Sequence, residues 1–171
     1  MEPIYFTSTK SPVGPLLFAA SVRGLLKLEF DRGQPTQGDS RQSWQESADA
    51  LEPYVRELDE YFAGQRREFS LPLDLRGTDF QLKCWRSLLD IPYGETRTYR
   101  EIAEAIAHPR AFRAVGMSNN RNPIAIVVPC HRVIASDGSL CGYGGGLETK
   151  SKLLQLEQSK LRPCLPLGIG A

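Results

Sequence analysis

Short apolar stretches separated by turn sequences fill the first thirty residues. Segments 4–9, 16–20 and 25–30 are rich in apolar and β-branched residues, and they flank turn sequences at 11–15 and 23–24. Glycine and proline at such positions favour tight turns between strands. The pattern therefore predicts three strands in an antiparallel meander.

A helical pattern follows the polar segment 31–47, which we predict to be a loop. Between residues 48 and 62 apolar side chains recur three or four positions apart, as they do on the buried face of a helix. These side chains are Leu51, Tyr54, Val55, Leu58 and Phe62. Gly64 follows closely, and glycine commonly ends a helix.

The same periodicity predicts several short helices in the second half of the chain. They span residues 80–89, 99–107, 110–119 and 149–158. His108 and Pro109 make a tight junction between the middle two, and Pro109 suits the first position of a new helix. Two short helices joined in this way predict a helix-turn-helix, although an ordinary helical hairpin has the same pattern.

An uninterrupted apolar run, most of it β-branched, occupies positions 124–128. Such a run is typical of a buried strand. Pro129 would end that strand, because proline has no amide hydrogen to donate to a sheet. We also predict a glycine-rich loop at 142–146 and a loose tail at 162–171.

The net charge of +1 is divided unevenly along the chain. Residues 1–75 hold eight Lys/Arg and twelve Asp/Glu, whereas residues 76–171 hold thirteen and eight. The basic half would suit a polyanion, although a solvated basic surface would have the same composition.

We predict two domains, 1–75 and 76–171. The first is α/β, with an antiparallel sheet plus a helix, and the second is mostly α-helical.

Composition predicts a cytoplasmic protein without a membrane partner. No apolar run approaches the roughly 20 residues that cross a bilayer, and the first residues do not resemble a signal peptide.

The cysteines fit this prediction, because thiols stay reduced in the cytosol. Cys84 and Cys141 lie in apolar patterns and are expected to be buried, whereas Cys164 is expected to be an exposed tail thiol. All cysteines and histidines lie at or after position 84, which excludes a zinc site of these ligands in the first half. We predict no metal.

Cys130 is the candidate nucleophile, because Pro129 precedes it and His131 follows it. A thiol reacts as the thiolate, which a nearby base or cation promotes. Adjacent residues of a strand point to opposite faces. Either the chain turns at Pro129, therefore, or a water bridges the two side chains.

A carboxylate would orient the His131 base. The last predicted helix offers Glu157 beside an apolar stripe. We expect Glu157 to face inward and to pair with His131, since a buried charge needs a partner. The alternative is an ordinary charge on the surface of a helix.

Several motifs stand in order between residues 77 and 157. They are IPYGET at 91–96, RAVG at 113–116, NP at 122–123, IVVPCHRVI at 126–134 and GYGGGL at 142–147. Together they resemble the O6-alkylguanine-DNA alkyltransferases, also called methylated-DNA–protein-cysteine methyltransferases. The resemblance of residues 1–75 is looser. The family resemblance implies a ribonuclease H-like N-terminal domain followed by a winged-helix or helix-turn-helix C-terminal domain.

The resemblance implies suicidal DNA repair, in which Cys130 irreversibly accepts the alkyl group of O6-alkylguanine. His131 would act as the base through a water, and Glu157 would orient it. Asn122 would brace the cysteine loop, and Tyr99 would donate a hydrogen bond to guanine N3. No cofactor is implied, and activity on O4-alkylthymine is left open.

The resemblance also implies a monomer that binds alkylated double-stranded DNA through the minor groove. Arg113 would enter the base stack and fill the gap left by the flipped nucleotide. The expected DNA-contacting residues are Tyr99, Arg110, Arg113, Ala114, Gly116 and Arg121. The expected pocket residues are Val133, Tyr143, Gly144 and Gly145. Phe112 departs from the family, being bulkier than the usual alanine or valine.

Two other functions are weighed against this one. A protein that binds damaged DNA without catalysis would not need a reactive thiol, so Cys130 argues against it. A cysteine hydrolase or acyltransferase would need an oxyanion hole and would turn over many times.

Overall fold

The computed structural model describes residues 2–31, 33 and 43–161 of the chain. The predictions for the tail at 162–171, Cys164 included, lie outside the described residues. In the part that is described, no helix is both long enough and apolar enough to cross a lipid bilayer.

A four-stranded sheet in the order β3-β2-β1-β4 forms the first half of the protein. Its strands are β1 (Tyr5–Thr9), β2 (Leu16–Ser21), β3 (Gly24–Phe30) and β4 (Gln45–Glu46). The first three strands pair antiparallel, which confirms the predicted meander.

Strand β4 lies where the sequence predicted only loop, so the prediction is wrong at this point. It pairs parallel to β1 through backbone contacts, including a 2.9 Å bond from the Gln45 amide to the Ile4 carbonyl. Both β4 residues are exposed and polar. A strand of this kind has no apolar alternation by which the sequence could reveal it.

Helix α1 (Ala48–Phe62) packs against the sheet, as the apolar stripe predicted. Leu51 and Leu58 are buried, and so is Tyr61, which the predicted stripe did not include. Gly64 follows the helix with a φ of 74°, a conformation that glycine adopts at little cost. The predicted end of the helix is therefore confirmed.

Four helices dominate the second half. They are α2 (Asp79–Leu89), α3 (Tyr99–Ala105), α4 (Phe112–Asn120) and α5 (Leu147–Leu161). Capping boxes open α2 at Thr78 and α3 at Thr98, where each threonine accepts from the third amide of its helix. Helices α3 and α4 pack together as the predicted helix-turn-helix.

The junction between α3 and α4 differs from the prediction. The amide of Ala107 donates to Glu104 and that of His108 to Ala103, which is the hydrogen-bond pattern of a Schellman cap. Ala107 takes a φ of 61° in this cap. The turn carries the chain beyond Pro109 before α4 begins, so the expectation that Pro109 opens the helix is wrong.

The run at 124–128 is not a strand, which corrects a second prediction. Ile124 makes only an isolated bridge to Leu28, and the chain then turns back on itself. Ile126 has a φ of 71°, and the Val127 amide bonds the Ala125 carbonyl at 2.8 Å. The apolar run reflects burial, which a turn inside the core satisfies as well as a strand does.

A short 3₁₀ turn, Cys130–Arg132, follows directly. It leads into strand β6 (Val133–Ile134), which pairs parallel to β5 (Arg97–Thr98). This small second sheet ties the cysteine segment to the start of α3.

The two halves share one hydrophobic core. Phe18 and Leu28 of the sheet belong to the same buried cluster as Trp85 and Ile124 of the second half. The Leu28 amide also donates to the carbonyl of Pro123 at 2.9 Å. The boundary between residues 75 and 76 stays a prediction.

Candidate active site

The backbone turns at Pro129, which is one of the two arrangements that the sequence left open. Pro129 has φ −82° and ψ 61°, and the Cys130 amide bonds the Val128 carbonyl at 2.8 Å. These are the features of an inverse γ-turn. Cys130 and His131 therefore do not occupy successive positions of a strand.

Asn122 holds the turn and the thiol together. Its Nδ2 donates to the Val128 carbonyl at 2.8 Å and contacts the Cys130 Sγ at 3.2 Å. Its Oδ1 accepts from the Ile124 amide at 3.0 Å. The three contacts fix the sulfur relative to the buried turn, so Asn122 lies where the sequence placed it.

Cys130 is 7% exposed. Burial raises the pKa of its thiol, while the Asn122 hydrogen bond and the charge of Lys150 act in the opposite direction. The groups around the thiol thus favour the thiolate more than burial alone would allow.

His131 and Glu157 form a buried pair, as expected. The His131 Nε2 lies 2.8 Å from the Glu157 Oε1, and both side chains are fully buried. Because the anionic carboxylate can only accept a hydrogen bond, the ring hydrogen lies on Nε2 and the lone pair lies on Nδ1. Nδ1 is buried and has no hydrogen-bond partner among the described residues. Burial lowers the pKa of His131, and Glu157 opposes that change only in part, so the ring is neutral near pH 7.

Glu157 is held as an anion. Burial raises its pKa, but hydrogen bonds from His131 and Arg132 outweigh this and bring it to about 2. Arg132 donates through Nε and Nη2 at 2.9–3.2 Å. Tyr61 of α1 donates its hydroxyl at 2.8 Å, and the Gly94 amide donates at 3.1 Å. The surface alternative for Glu157 is therefore wrong.

Lys150 is a buried cation that the sequence-based predictions did not include. Its Nζ donates to the carbonyls of Val133 at 2.5 Å and Cys141 at 3.1 Å. Burial lowers its pKa, and the charge interaction with Cys130 raises it. Lys150 stands on one helical stripe with Leu153 and Glu157, three and four residues apart, and this spacing was the available signal.

Tyr99 lies in an open cleft of about 300 Å³. Its hydroxyl donates to the carbonyl of Cys141 at 3.0 Å, and burial raises its pKa.

Cys141 itself is exposed, so the prediction that it is buried is wrong. Its apolar neighbours in sequence belong to a surface loop, whereas Cys84 is buried as predicted.

The expected pocket residues are spread along one segment after the cysteine. Val133 is buried and offers its carbonyl to Lys150. Tyr143 packs edge-on against Phe30 of β3, and its buried hydroxyl has no hydrogen-bond partner in the described part. A Cβ on Gly145 would come within 2.6 Å of the Phe30 ring, so only glycine fits there, whereas a Cβ on Gly144 would meet nothing within 4 Å. Phe30 is a neighbour that the sequence did not suggest.

The expected DNA-contacting residues gather on and around α4. The side chains of Arg110, Arg113 and Arg121 are exposed, and Ala114 is half-buried. Gly116 faces Tyr99 across the cleft, where a Cβ would lie 3.8 Å from the ring. Among the described residues, none of these arginines forms an ion pair, so their charge faces solvent.

The second half thus combines a cysteine next to a buried histidine–carboxylate pair with a helix-turn-helix, which is the arrangement expected of a cysteine-dependent protein that binds nucleic acid. Two models of the 6-O-methylguanine DNA methyltransferase family match the chain. The DNA binding domain model matches residues 79–159, and the ribonuclease-like domain model matches residues 4–75. The chain belongs to this family.

Relatives match over nearly the whole chain. A methylated-DNA–protein-cysteine methyltransferase of Methanosarcina barkeri is 49% identical over 93% of this chain and all of the relative. One from Mycobacterium bovis is 50% identical over 92% of this chain and 94% of the relative. A crystal structure of Mycobacterium tuberculosis OGT in complex with DNA superposes with a TM-score of 0.84 at 49% identity, covering 91% of this chain and 94% of that one.

Proposed function

We propose that this protein repairs DNA directly, as a methylated-DNA–protein-cysteine methyltransferase that moves the alkyl group of O6-alkylguanine onto Cys130. The contact that carries the proposal is the one between Asn122 and the Cys130 Sγ, beside the His131–Glu157 pair. Family membership and relatives of this name support it over nearly the full chain.

The reaction is a displacement at carbon. The Cys130 thiol loses its proton to a water held by His131 Nδ1, and the sulfur attacks the alkyl carbon while the bond to guanine O6 breaks. The bonding electrons go to the guanine, which Tyr99 stabilises by donating a hydrogen bond at N3. Neutral His131 is the form that can take the proton, and anionic Glu157 stabilises the imidazolium that results.

Each molecule acts once. The product is a thioether, which water does not cleave, and Cys130 has no described partner that would remove the alkyl group. A cysteine hydrolase differs in this respect, because it releases its product and turns over.

The protein binds the DNA through the minor groove and acts as a monomer. The O6 atom is hidden inside a duplex, so the damaged nucleotide has to be flipped out at a cost of a few kcal/mol. Arg113 fills the gap in the stack, and Arg110 and Arg121 contact the phosphates. The small residues Ala114 and Gly116 let the backbone of α4 approach the groove.

The flipped base occupies a pocket formed by Val133, Tyr143, Gly144 and Gly145. The absence of a side chain at Gly144 and Gly145 leaves the pocket wall flat against the purine. The proposal includes a reducing, cytoplasmic setting, because the reaction consumes a free thiol.

The test is the intact mass of the protein after mixing with a duplex that contains one O6-methylguanine. We expect the gain of one methyl group, mapped to Cys130 by peptide mass and absent in Cys130→Ala. An unmodified duplex is the control. An unchanged protein mass with the lesion intact would contradict the proposal, and repeated product release from one protein molecule would indicate a hydrolase.

A further inference from the structure

Phe112 is an aromatic residue left at the surface at the start of α4. Its side chain is 39% exposed, and it is not among the residues that form or line the hydrophobic core. The ring lines the same cleft as Tyr99 and Gly116. The packing of the described core therefore does not account for a phenylalanine here.

Two arginines flank the ring. The guanidinium carbon of Arg100 lies 5.9 Å from the ring centroid and that of Arg113 lies 6.0 Å from it. Cation–π contacts of this length orient the ring and hold it at the surface. Neither arginine forms an ion pair within the described ranges, so the aromatic face is framed by two available positive charges.

This arrangement fits duplex DNA. Positive charges suit the phosphates that border a groove, and an apolar ring between them suits the base stack inside it. Proteins of the minor groove insert apolar side chains between base pairs and so open the stack. A peptide or lipid partner would not require an aromatic ring flanked by two guanidinium groups at the edge of the cleft that Tyr99 lines.

We propose that Phe112 is a second DNA wedge, which stacks on a base next to the flipped nucleotide and works beside Arg113. The inference rests on the proposed function and deepens it. The nucleotide that leaves the duplex breaks two stacking contacts. Arg113 occupies the gap on one side, and the Phe112 ring supplies an aromatic surface to the neighbouring base.

The test uses proteins that carry Cys130→Ala, so that binding is measured without reaction. The duplex contains one O6-methylguanine with 2-aminopurine, a base that fluoresces when unstacked, as its neighbour. We expect Phe112→Ala to weaken binding about tenfold, or about 1.4 kcal/mol, within the range of base–aromatic stacking. The fluorescence change on binding should be altered as well. Phe112→Trp should restore both.

Leu89→Ala is the matched control, because Leu89 is a large apolar residue of similar exposure, 42%, on α2. It should leave binding and fluorescence unchanged. Equal effects of Phe112→Ala and Leu89→Ala, or no effect of Phe112→Ala, would overturn the inference.

A second measurement separates this inference from the proposed function. In the reactive protein, Phe112→Ala should react with free O6-benzylguanine within about twofold of the wild-type rate, since a free base needs no opening of a stack. An equal loss on the free base and on the duplex would assign Phe112 to the pocket and overturn the wedge. Failure of the wild-type protein to react with either substrate would overturn the proposed function, and the binding experiment would still decide on the wedge.

Discussion

At the scale of single residues, a cation in the core acts on the Cys130 thiol. Lys150 has no carboxylate partner among the described residues and donates only to two carbonyls. Its charge is therefore not neutralised locally and acts on the thiol, whose pKa it lowers. The buried lysine and the thiolate therefore stabilise each other's charged forms, while burial acts against both.

We predict that Lys150→Met raises the pKa of the Cys130 thiol. The variant keeps the apolar stem and removes the charge, so the thiolate loses a stabilising interaction and the reaction needs a higher pH. If the pKa rises by about one, the thiolate population at a pH below the pKa falls about tenfold, and the rate falls with it. The check is the rate of reaction with free O6-benzylguanine as a function of pH.

Lys152→Met is the control, since Lys152 is exposed on the same helix and pairs with Glu148. It should leave the pH profile in place. A profile that moves equally in both variants, or in neither, would be incompatible with this role of Lys150.

Acid should destabilise the protein through the pair His131–Glu157. Both groups have a lower pKa folded than unfolded, so the unfolded chain binds more protons. The contribution of His131 is present above its ordinary pKa of 6.5 and is lost as the pH falls below it. That of Glu157 is lost as the pH falls from its ordinary pKa of 4.5 to about 2.

We therefore expect the free energy of unfolding to fall steadily below about pH 6.5. Urea midpoints measured from about pH 7 to pH 3 would check this. Glu157→Gln should make the urea midpoint depend less on pH in the acidic part of this range. A wild-type midpoint that does not change over this range would refute the prediction.

At the scale of elements, the cap of α3 is built on an unfavourable residue. Ala107 takes a left-handed φ of 61° in a cap that usually carries glycine. Alanine adopts this conformation at a cost of about 1 kcal/mol or more. The helix-turn-helix keeps its geometry in spite of Ala107.

Ala107→Gly should stabilise the protein by up to about 1 kcal/mol, which raises the melting temperature by about 2–4 °C in a chain of this size. Ala105→Gly is the control, because Ala105 is the last residue of α3 and glycine weakens a helix. The two changes should move the melting temperature in opposite directions. Calorimetry would show this, and a decrease with Ala107→Gly would speak against the cap.

Elements that repeat a local pattern could be predicted from the sequence, and elements defined by distant partners could not. Helices α1, α2 and α5 follow apolar stripes within their own length. The apolar run at 124–128 indicates only burial, and its isolated bridge is to Leu28, a distant residue that no local pattern connects to it. Strand β4 has two polar residues and no pattern at all.

The same distinction applies to the site. Cys130, His131, Asn122 and Glu157 could be named from local context and family resemblance. Tyr61 stands 96 residues from Glu157 in sequence, and no periodicity connects the two. Arg132 is part of a motif, but its bond to Glu157 depends on a turn that only the folded chain shows.

At the scale of the whole molecule, the first half contributes directly to the site in the second. The Tyr61 hydroxyl, carried by α1, is one of the donors that hold Glu157. The Phe30 ring, carried by β3, packs against Tyr143 and Gly145. The N-terminal half is therefore more than a support for the fold.

Tyr61→Phe should lower both the stability and the rate of alkyl transfer. The ring and its packing remain, but Glu157 loses one hydrogen bond, worth about 1.5–3 kcal/mol for a charged acceptor. His131 is then held less firmly. Urea unfolding and the rate on an O6-methylguanine duplex would measure the two effects.

Tyr54→Phe is the control for this change, because Tyr54 is half-buried on the same helix and makes no hydrogen bond to the site. Tyr54→Phe should change neither the stability nor the rate of alkyl transfer as much as Tyr61→Phe does. Loss of stability with an unchanged rate in Tyr61→Phe would confine Tyr61 to a structural role.

The contacts of Tyr61 and Phe30 limit which N-terminal halves of related proteins can replace residues 1–75 of this one. A chimera that takes residues 1–75 from another family member inherits whatever that donor places opposite Glu157 and Gly145. Activity should survive the exchange only when the donor places a hydroxyl at the position of Tyr61 and a flat ring at the position of Phe30. On this prediction, neither half of the protein is an interchangeable module.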